Sequence, residues 1–333
     1  MLMMVTSRRL RSGKYQNREQ ANYGYDYLAG HSNGPPGNDG FDLRGKGRFE
    51  AALLHELNRL KESGVNTPKV GIYLHGYNND YQDSIDEIFD LERALGDVIG
   101  YSPVLIGFSW PSSGTVRDYL NDREEVRDSV PAFCRFLRDV NDFLCRNEDN
   151  CFATTYCIAH SMGNYLLRKG MEYLSDNLGA PCGRAMFNET IMLAPDIASH
   201  DIELDGKGRY IAAFSRRVHV YYSRHDRALK ASSAKRFGRN RLGRHGADDY
   251  ENLAPNVVIV DAKQFANSAA TNDLRDRRNG RVSVHSSHRY HRGILEDVVQ
   301  VLSSVERTLI PTRREVPKVV DRPDLPPHHF ELG

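Results

Sequence analysis

Residues 157–167 read Cys157-Ile158-Ala159-His160-Ser161-Met162-Gly163-Asn164-Tyr165-Leu166-Leu167. A short apolar run of strand type meets a small-x-Ser-x-Gly turn, and a helix pattern starts at once after it. A serine in that context sits on a tight strand-to-helix turn with its hydroxyl projecting from the sheet. The free N–H groups at the helix start then point at any oxyanion that develops nearby. The stretch therefore implies a serine nucleophile, subject to finding its partners elsewhere in the chain.

The flanking sequence supports a frame of alternating strands and helices. Val70–Leu74, Pro103–Trp110, Glu189–Ala194, Val218–Tyr222 and Val257–Val260 read as strands, and Met1–Arg9 as a first one. Between them lie helical stripes: Leu53, Leu57 and Leu60; Ile85, Ile88 and Leu95; Val130, Phe133, Leu137, Val140 and Leu144, with a start near Ser129 and Pro131. The helix after Ser161 buries Leu167, Met171 and Leu174, and a last one carries Ile294 to Val305. Continuous apolar strands alternating with helices predict an α/β fold with a mainly parallel sheet covered on both faces. Chemistry in such sheets gathers at the carboxyl ends of the strands. Residues 1–310 read as one domain, and the proline-rich 311–333 as an extended or partly disordered tail.

The chain has 333 residues, 40% hydrophobic and 27% charged, with a net charge of +1. That balance provides no global field for nucleic acid or an anionic membrane. No run of about 18 apolar residues exists, so no transmembrane helix is expected. Met1–Arg9 lacks the parts of a signal peptide. Five cysteines without a C-x-x-C pair suit buried thiols in a reducing compartment, and the expected location is cytoplasmic.

A serine hydroxyl needs a base, the base an orienting acid, and the oxyanion its donors. Asp226 follows the strand Val218–Tyr222, and His288 lies in a polar loop immediately before the last helix. Ser161, Asp226 and His288 thus occur in the chain order Ser, Asp, His. His75-Gly76-Tyr77 follows its strand directly, so the backbone N–H groups of Tyr77 and Met162 are the candidate oxyanion donors. At this point the chain resembles the α/β-hydrolase superfamily and, more narrowly, a bacterial subgroup catalogued as an α/β-hydrolase domain of unknown function. The resemblance rests on His75-Gly76-Tyr77-Asn78, Ser109-Trp110-Pro111-Ser112, Ala159–Asn164, Leu193-Ala194-Pro195-Asp196, Asp226-Arg227-Ala228-Leu229 and His288. It implies the α/β-hydrolase fold and a hydrolytic class over roughly residues 5–305, and no particular substrate. Ala159 stands where the strict G-x-S-x-G pattern has its first glycine.

Several residues compete for these roles. Asp196 also follows a strand and rivals Asp226 as the acid. His285 is the runner-up base, and His160, adjacent to Ser161, is read as packing beneath the turn. His285, His288 and His291 lack a second ligand cluster for zinc, so no metal is expected, and no organic cofactor either. The segment 224–244 holds Arg224, Arg227, Lys230, Lys235, Arg236, Arg239, Arg241 and Arg244. It is a solvated face or a recognition element for an anionic substrate. Nucleic acid is not expected, because the segment lacks interleaved aromatics. Tyr77, Tyr165 and Trp110 are candidates for the wall of an acyl pocket. The reading is a serine esterase on small acyl esters, with lipid esters and thioesters included. The alternatives are an acyltransferase and a non-catalytic binding module on the same fold.

Overall fold

The computed structural model describes the chain apart from residues 31–40, 113–118, 148–153, 179–184, 235–238, 277–279 and 318–325. The apolar runs form the expected strands. β1 is Leu2–Thr6, β6 Lys69–Leu74, β7 Val104–Ser109, β8 Thr154–His160, β9 Phe187–Leu193, β10 Ser215–Tyr222 and β11 Val257–Asp261. With β13 (His329–Leu332) they make the parallel part of an 11-stranded sheet, ordered β13-β11-β10-β9-β8-β6-β7-β1. Antiparallel pairs finish both edges. β4 (Asp26–Gly30) and β5 (Leu43–Arg44) lie outside β1, and β12 (Arg313–Glu315) lies outside β13. β2 (Arg8–Arg11) and β3 (Lys14–Glu19) form a separate hairpin.

Helices cover both faces, because alternate strand residues point to opposite sides and both sides are apolar. One face packs α1 (Lys46–Glu62), α3 (Tyr119–Arg146) and α4 (Gly163–Leu178) against Val70, Ile72, Leu74 and Ile106. The other packs α2 (Tyr81–Ile99) and the last long helix, Arg292–Leu302, against Tyr73, Leu105 and Ile158. α3 begins ten residues before Ser129 and carries Pro131 inside it.

The two ends of the 311–333 segment join the sheet instead of forming a tail. Phe330 and Leu332 are buried in the core beside β11. Arg313 of β12 pairs at 2.5 Å with buried Asp297 of the last helix, and Tyr221 donates to the same carboxylate at 2.5 Å. A buried guanidinium with a matched carboxylate anchors that edge.

The strand order sets the place of the site. β6 pairs with β7 on one side and β8 on the other, so the chain changes direction along the sheet at this point. The crevice at such a switch, beyond the strand ends, is where ligands bind in open α/β sheets. In register, Leu74 stands beside Ala159 and His160 beside Leu193. The segments after β6, β8, β9 and β10 therefore converge.

Candidate active site

Ser161 follows β8 directly, at φ +53°, in the left-handed region that non-glycine residues avoid. A backbone so placed costs about 1–3 kcal/mol and persists only where its surroundings impose it. Here the surroundings do so. The Ser161 N–H donates to the Leu193 carbonyl at 3.0 Å, and the Ser161 carbonyl accepts from Asp196 N–H at 3.1 Å. The Asn164 side chain donates to the carbonyls of Ala159 and Ser161, at 2.9 and 3.3 Å. Gly163 completes the turn, since a Cβ there would stand 2.3 Å from the Leu74 carbonyl oxygen. Ser161 is 2% exposed, and its Oγ has no hydrogen-bond partner among the described residues.

Asp226 lies at the start of a short helix, α6 in chain order after Arg209–Ala213, which spans Arg227–Ala234. Its Oδ1 caps that helix by accepting from Leu229 N–H at 2.9 Å. Its Oδ2 meets Nδ1 of His285 at 2.6 Å. Burial opposes charge on this carboxyl, but His285, by charge and hydrogen bond, holds it below its ordinary pKa. Burial likewise opposes charge on His285, yet Asp226 outweighs it and raises the imidazole above its ordinary value. His285 and Ser161 line one cavity of about 240 Å³, together with Gly76, Tyr77 and His160.

The base expected from the sequence is His288; it lies close enough to Asp226 to feel its charge, but the hydrogen bond to that carboxylate is made by His285. A 3₁₀ turn over Ser287–Arg289 swings His288 into the interior, where it is fully buried. Its Nδ1 lies 3.4 Å from the His285 carbonyl, and burial lowers its pKa to about 4. It is absent from the cavity lining. The rival acid, Asp196, is also engaged elsewhere: Arg241 approaches it at 3.3 Å and Ser232 donates to it at 2.7 Å. Tyr77 lines the cavity, and Gly76 faces the serine so closely that a Cβ would lie 3.1 Å from the Ser161 Cβ. Met162, at the start of α4, is fully buried. Among the described residues of the basic segment only Ala228 reaches the cavity, while Arg244 donates to the Asp226 carbonyl at 2.5 Å.

A polar network that sequence reasoning missed underlies the site. Glu87 of α2 is ion-paired to Arg289 at 3.2 Å, and it accepts from the Asn79 amide at 2.5 Å and from the Tyr73 hydroxyl. The pair thus joins the segment after β6 to the segment that carries His285. His160 packs against His285, ring centroids 4.8 Å apart, and its Nε2–H donates to the His285 carbonyl at 3.1 Å. Burial and Arg289 hold His160 well below its ordinary pKa, and so neutral. His75 is stacked on Trp110 at 5.0 Å. Its Nε2 accepts from the Trp110 N–H at 3.2 Å, which puts the ring proton on Nδ1, facing the Gly76 carbonyl at 2.7 Å. Arg8, fully buried, donates to the Asn79 carbonyl at 2.8 Å and to Ser109 Oγ at 2.9 Å. Among the described residues no three His, Cys, Asp or Glu side chains are grouped so as to hold a metal ion. No helix among them is long and apolar enough to cross a membrane.

Comparison with known proteins places the chain in a family. A family described as alpha/beta hydrolase of unknown function (DUF900) matches residues 50–285. An uncharacterized protein of a Nostoc strain, alr1448, is 31% identical over 174 residues, which is 44% of this chain and 43% of that one. The chain thus matches less than half of that relative's length. Among solved structures, phospholipase PlaB from Legionella pneumophila is 15% identical with a TM-score of 0.28, over 67% of this chain and 45% of that one. Aspergillus fumigatus lipase B is 14% identical with a TM-score of 0.32, over 72% and 53%. A hydrolase from Oleispira antarctica is 10% identical with a TM-score of 0.29, over 72% and 93%.

Proposed function

The chain belongs to a family of alpha/beta hydrolases of unknown function, and from that premise we propose that it is a serine hydrolase of carboxylic esters working through an acyl-enzyme. Ser161 is the nucleophile, His285 the general base and Asp226 the acid that orients it. The observation that carries this reading is the 2.6 Å contact between Asp226 and His285 Nδ1. It leaves Nε2 of His285 for a cavity that also holds the strained, unpartnered Ser161 hydroxyl. The base thus differs from the His288 that chain position alone suggests.

The steps follow from those positions. Ser161 Oγ attacks the ester carbonyl carbon as His285 Nε2 takes the hydroxyl proton. Asp226 stabilises the imidazolium through Nδ1 and fixes the ring's orientation. Negative charge on the carbonyl oxygen is met by the backbone N–H groups of Tyr77 and Met162, each worth roughly 3 kcal/mol of barrier. Collapse breaks the ester C–O bond, and the imidazolium proton goes to the departing alkoxide. Water then gives a proton to His285 as its oxygen attacks the acyl carbon. The second collapse returns the proton to Ser161 Oγ and releases the carboxylic acid. Thioester and amide cleavage, or transfer to another acceptor, run through the same acyl-enzyme.

The test is to quench turnover of p-nitrophenyl acetate with acid and weigh the intact protein. The expected result is one acetyl group per chain, mapped to the peptide with Ser161 and absent from Ser161→Ala. An acetyl group on another residue, or none during turnover, contradicts the reading.

A further inference from the structure

The cavity that holds Ser161 and His285 has walls of an unusual kind for an esterase on hydrocarbon acyl chains. Among the described residues no Leu, Ile, Val, Met, Phe or Trp lines it. Ala228 is the largest wholly apolar side chain there, and the aromatic rings are those of Tyr77, Tyr290 and two histidines. The remainder is amide, hydroxyl, imidazole and charged groups, among them Asn79, Asp83, Asp86, Asp90, Ser283 and Ser286. The aromatic residues read from the sequence as an acyl wall lie mostly elsewhere. Trp110 is fully buried against His75, and Tyr165 is covered by Arg123, 3.6 Å above its ring. Only Tyr77 reaches the cavity.

Hydrocarbon binds by leaving water for an apolar wall. Against carboxylates and amides a methylene displaces water that those groups hold, and it returns no hydrogen bond. Gain and cost then offset each other. A substrate hydroxyl or amide at the same place keeps the wall's hydrogen bonds made. A volume of about 240 Å³ also falls below the range of roughly 300–1,000 Å³ usual for ligand pockets.

We propose that this site takes short, polar acyl esters, carrying hydroxyl or amide groups within a few atoms of the scissile carbonyl, and not fatty acyl chains. The proposal rests on the serine-hydrolase reading above, so its test reports on the two separately. With the full chain, kcat/KM is measured for p-nitrophenyl acetate, butyrate, hexanoate and octanoate, and for the 3-hydroxybutyrate ester. Labelling by a fluorophosphonate is followed alongside. The expected series is flat or falling with length, with 3-hydroxybutyrate at least threefold above butyrate. An apolar acyl pocket instead gives a rise of roughly fourfold per methylene, equivalent to about 0.8 kcal/mol each. A rise above twofold per methylene, or a hydroxyl without advantage, overturns the proposal while labelling keeps the nucleophile. A folded protein that takes no fluorophosphonate overturns the serine reading itself. Asp86→Leu, which places hydrocarbon on the wall, is expected to raise the octanoate-to-acetate ratio at least threefold. An unchanged ratio also counts against the proposal.

Discussion

Replacing His285 by Gln removes the imidazole that bonds the buried carboxylate and lines the cavity, and replacing His288 by Gln removes one that, among the described residues, neither hydrogen-bonds that carboxylate nor lines the cavity. In the first variant Ser161 has no acceptor for its proton, and Asp226, fully buried, loses its 2.6 Å partner. Loss of a triad member costs on the order of 10⁴-fold or more in kcat, about 5.4 kcal/mol of barrier or more. In the second variant little is lost. Among the described residues the His288 ring makes one hydrogen bond, 3.4 Å long and beyond the usual N–H···O range, and its Nε2 has no partner. Its stability cost is about 1–2 kcal/mol, for a buried polar site refilled by another polar group, and kcat/KM stays within about tenfold of the parent. The assay is p-nitrophenyl acetate hydrolysis with both variants checked for folding by circular dichroism and thermal melting. A folded His288→Gln protein that loses 10⁴-fold, beside a His285→Gln protein near parental activity, refutes the assignment of the base.

Three further outcomes follow from the same geometry. Because Asp226 raises the pKa of His285, the ring is mostly protonated at its ordinary value of 6.5 and must lose that proton to act. kcat/KM is therefore expected to climb with pH through a midpoint above 6.5, and Asp226→Asn to move that midpoint down while lowering the plateau. The stability from the charged His285–Asp226 pair runs the opposite way, complete below 6.5 and lost as pH rises through the same midpoint. A midpoint near 4 in the parent points to His288 instead. Ser161→Gly relieves the φ of +53° that Ser161→Ala retains, so Gly is expected to melt higher than Ala, by about 1 kcal/mol or more, with both inactive. Equal melting of the two counts against strain at the turn. Glu87→Gln leaves the buried Arg289 charge without its partner and is expected to cost about 3–5 kcal/mol in denaturant unfolding. Adding Arg289→Gln is expected to recover part of that loss, and full additivity of the two changes contradicts a coupled pair.

What was legible in the sequence follows from what is local. Val70–Leu74 and Val257–Val260 are continuous apolar runs, and both prove to be central strands, because a strand covered on both faces has no polar side to interrupt its pattern. The turn at Ser161 is legible because strand, small residues and helix adjoin in one stretch. His285 and His288 are not told apart, because the choice depends on a single 3₁₀ turn at Ser287–Arg289, which no periodicity announces. The separate hairpin and the C-terminal strand escaped for the reverse reason. Arg8–Arg11 and Lys14–Glu19 are charged and mostly exposed, and His329–Leu332 is four residues long after a proline-rich stretch. Glu87 and Arg289 lie far apart along the chain, and only the fold brings their charges together. Arg8 lies within the stretch Met1–Arg9 read as a first strand, and only the fold shows that its guanidinium is fully buried.

The central claim is that Ser161 is an activated nucleophile. It is tested most directly by intact-mass labelling of the folded chain with a fluorophosphonate, followed by mapping of the modified peptide. The account predicts one adduct per chain, on Ser161, lost in Ser161→Ala and slowed severely in His285→Gln. A folded parent that stays unlabelled, or an adduct that persists in Ser161→Ala, contradicts it.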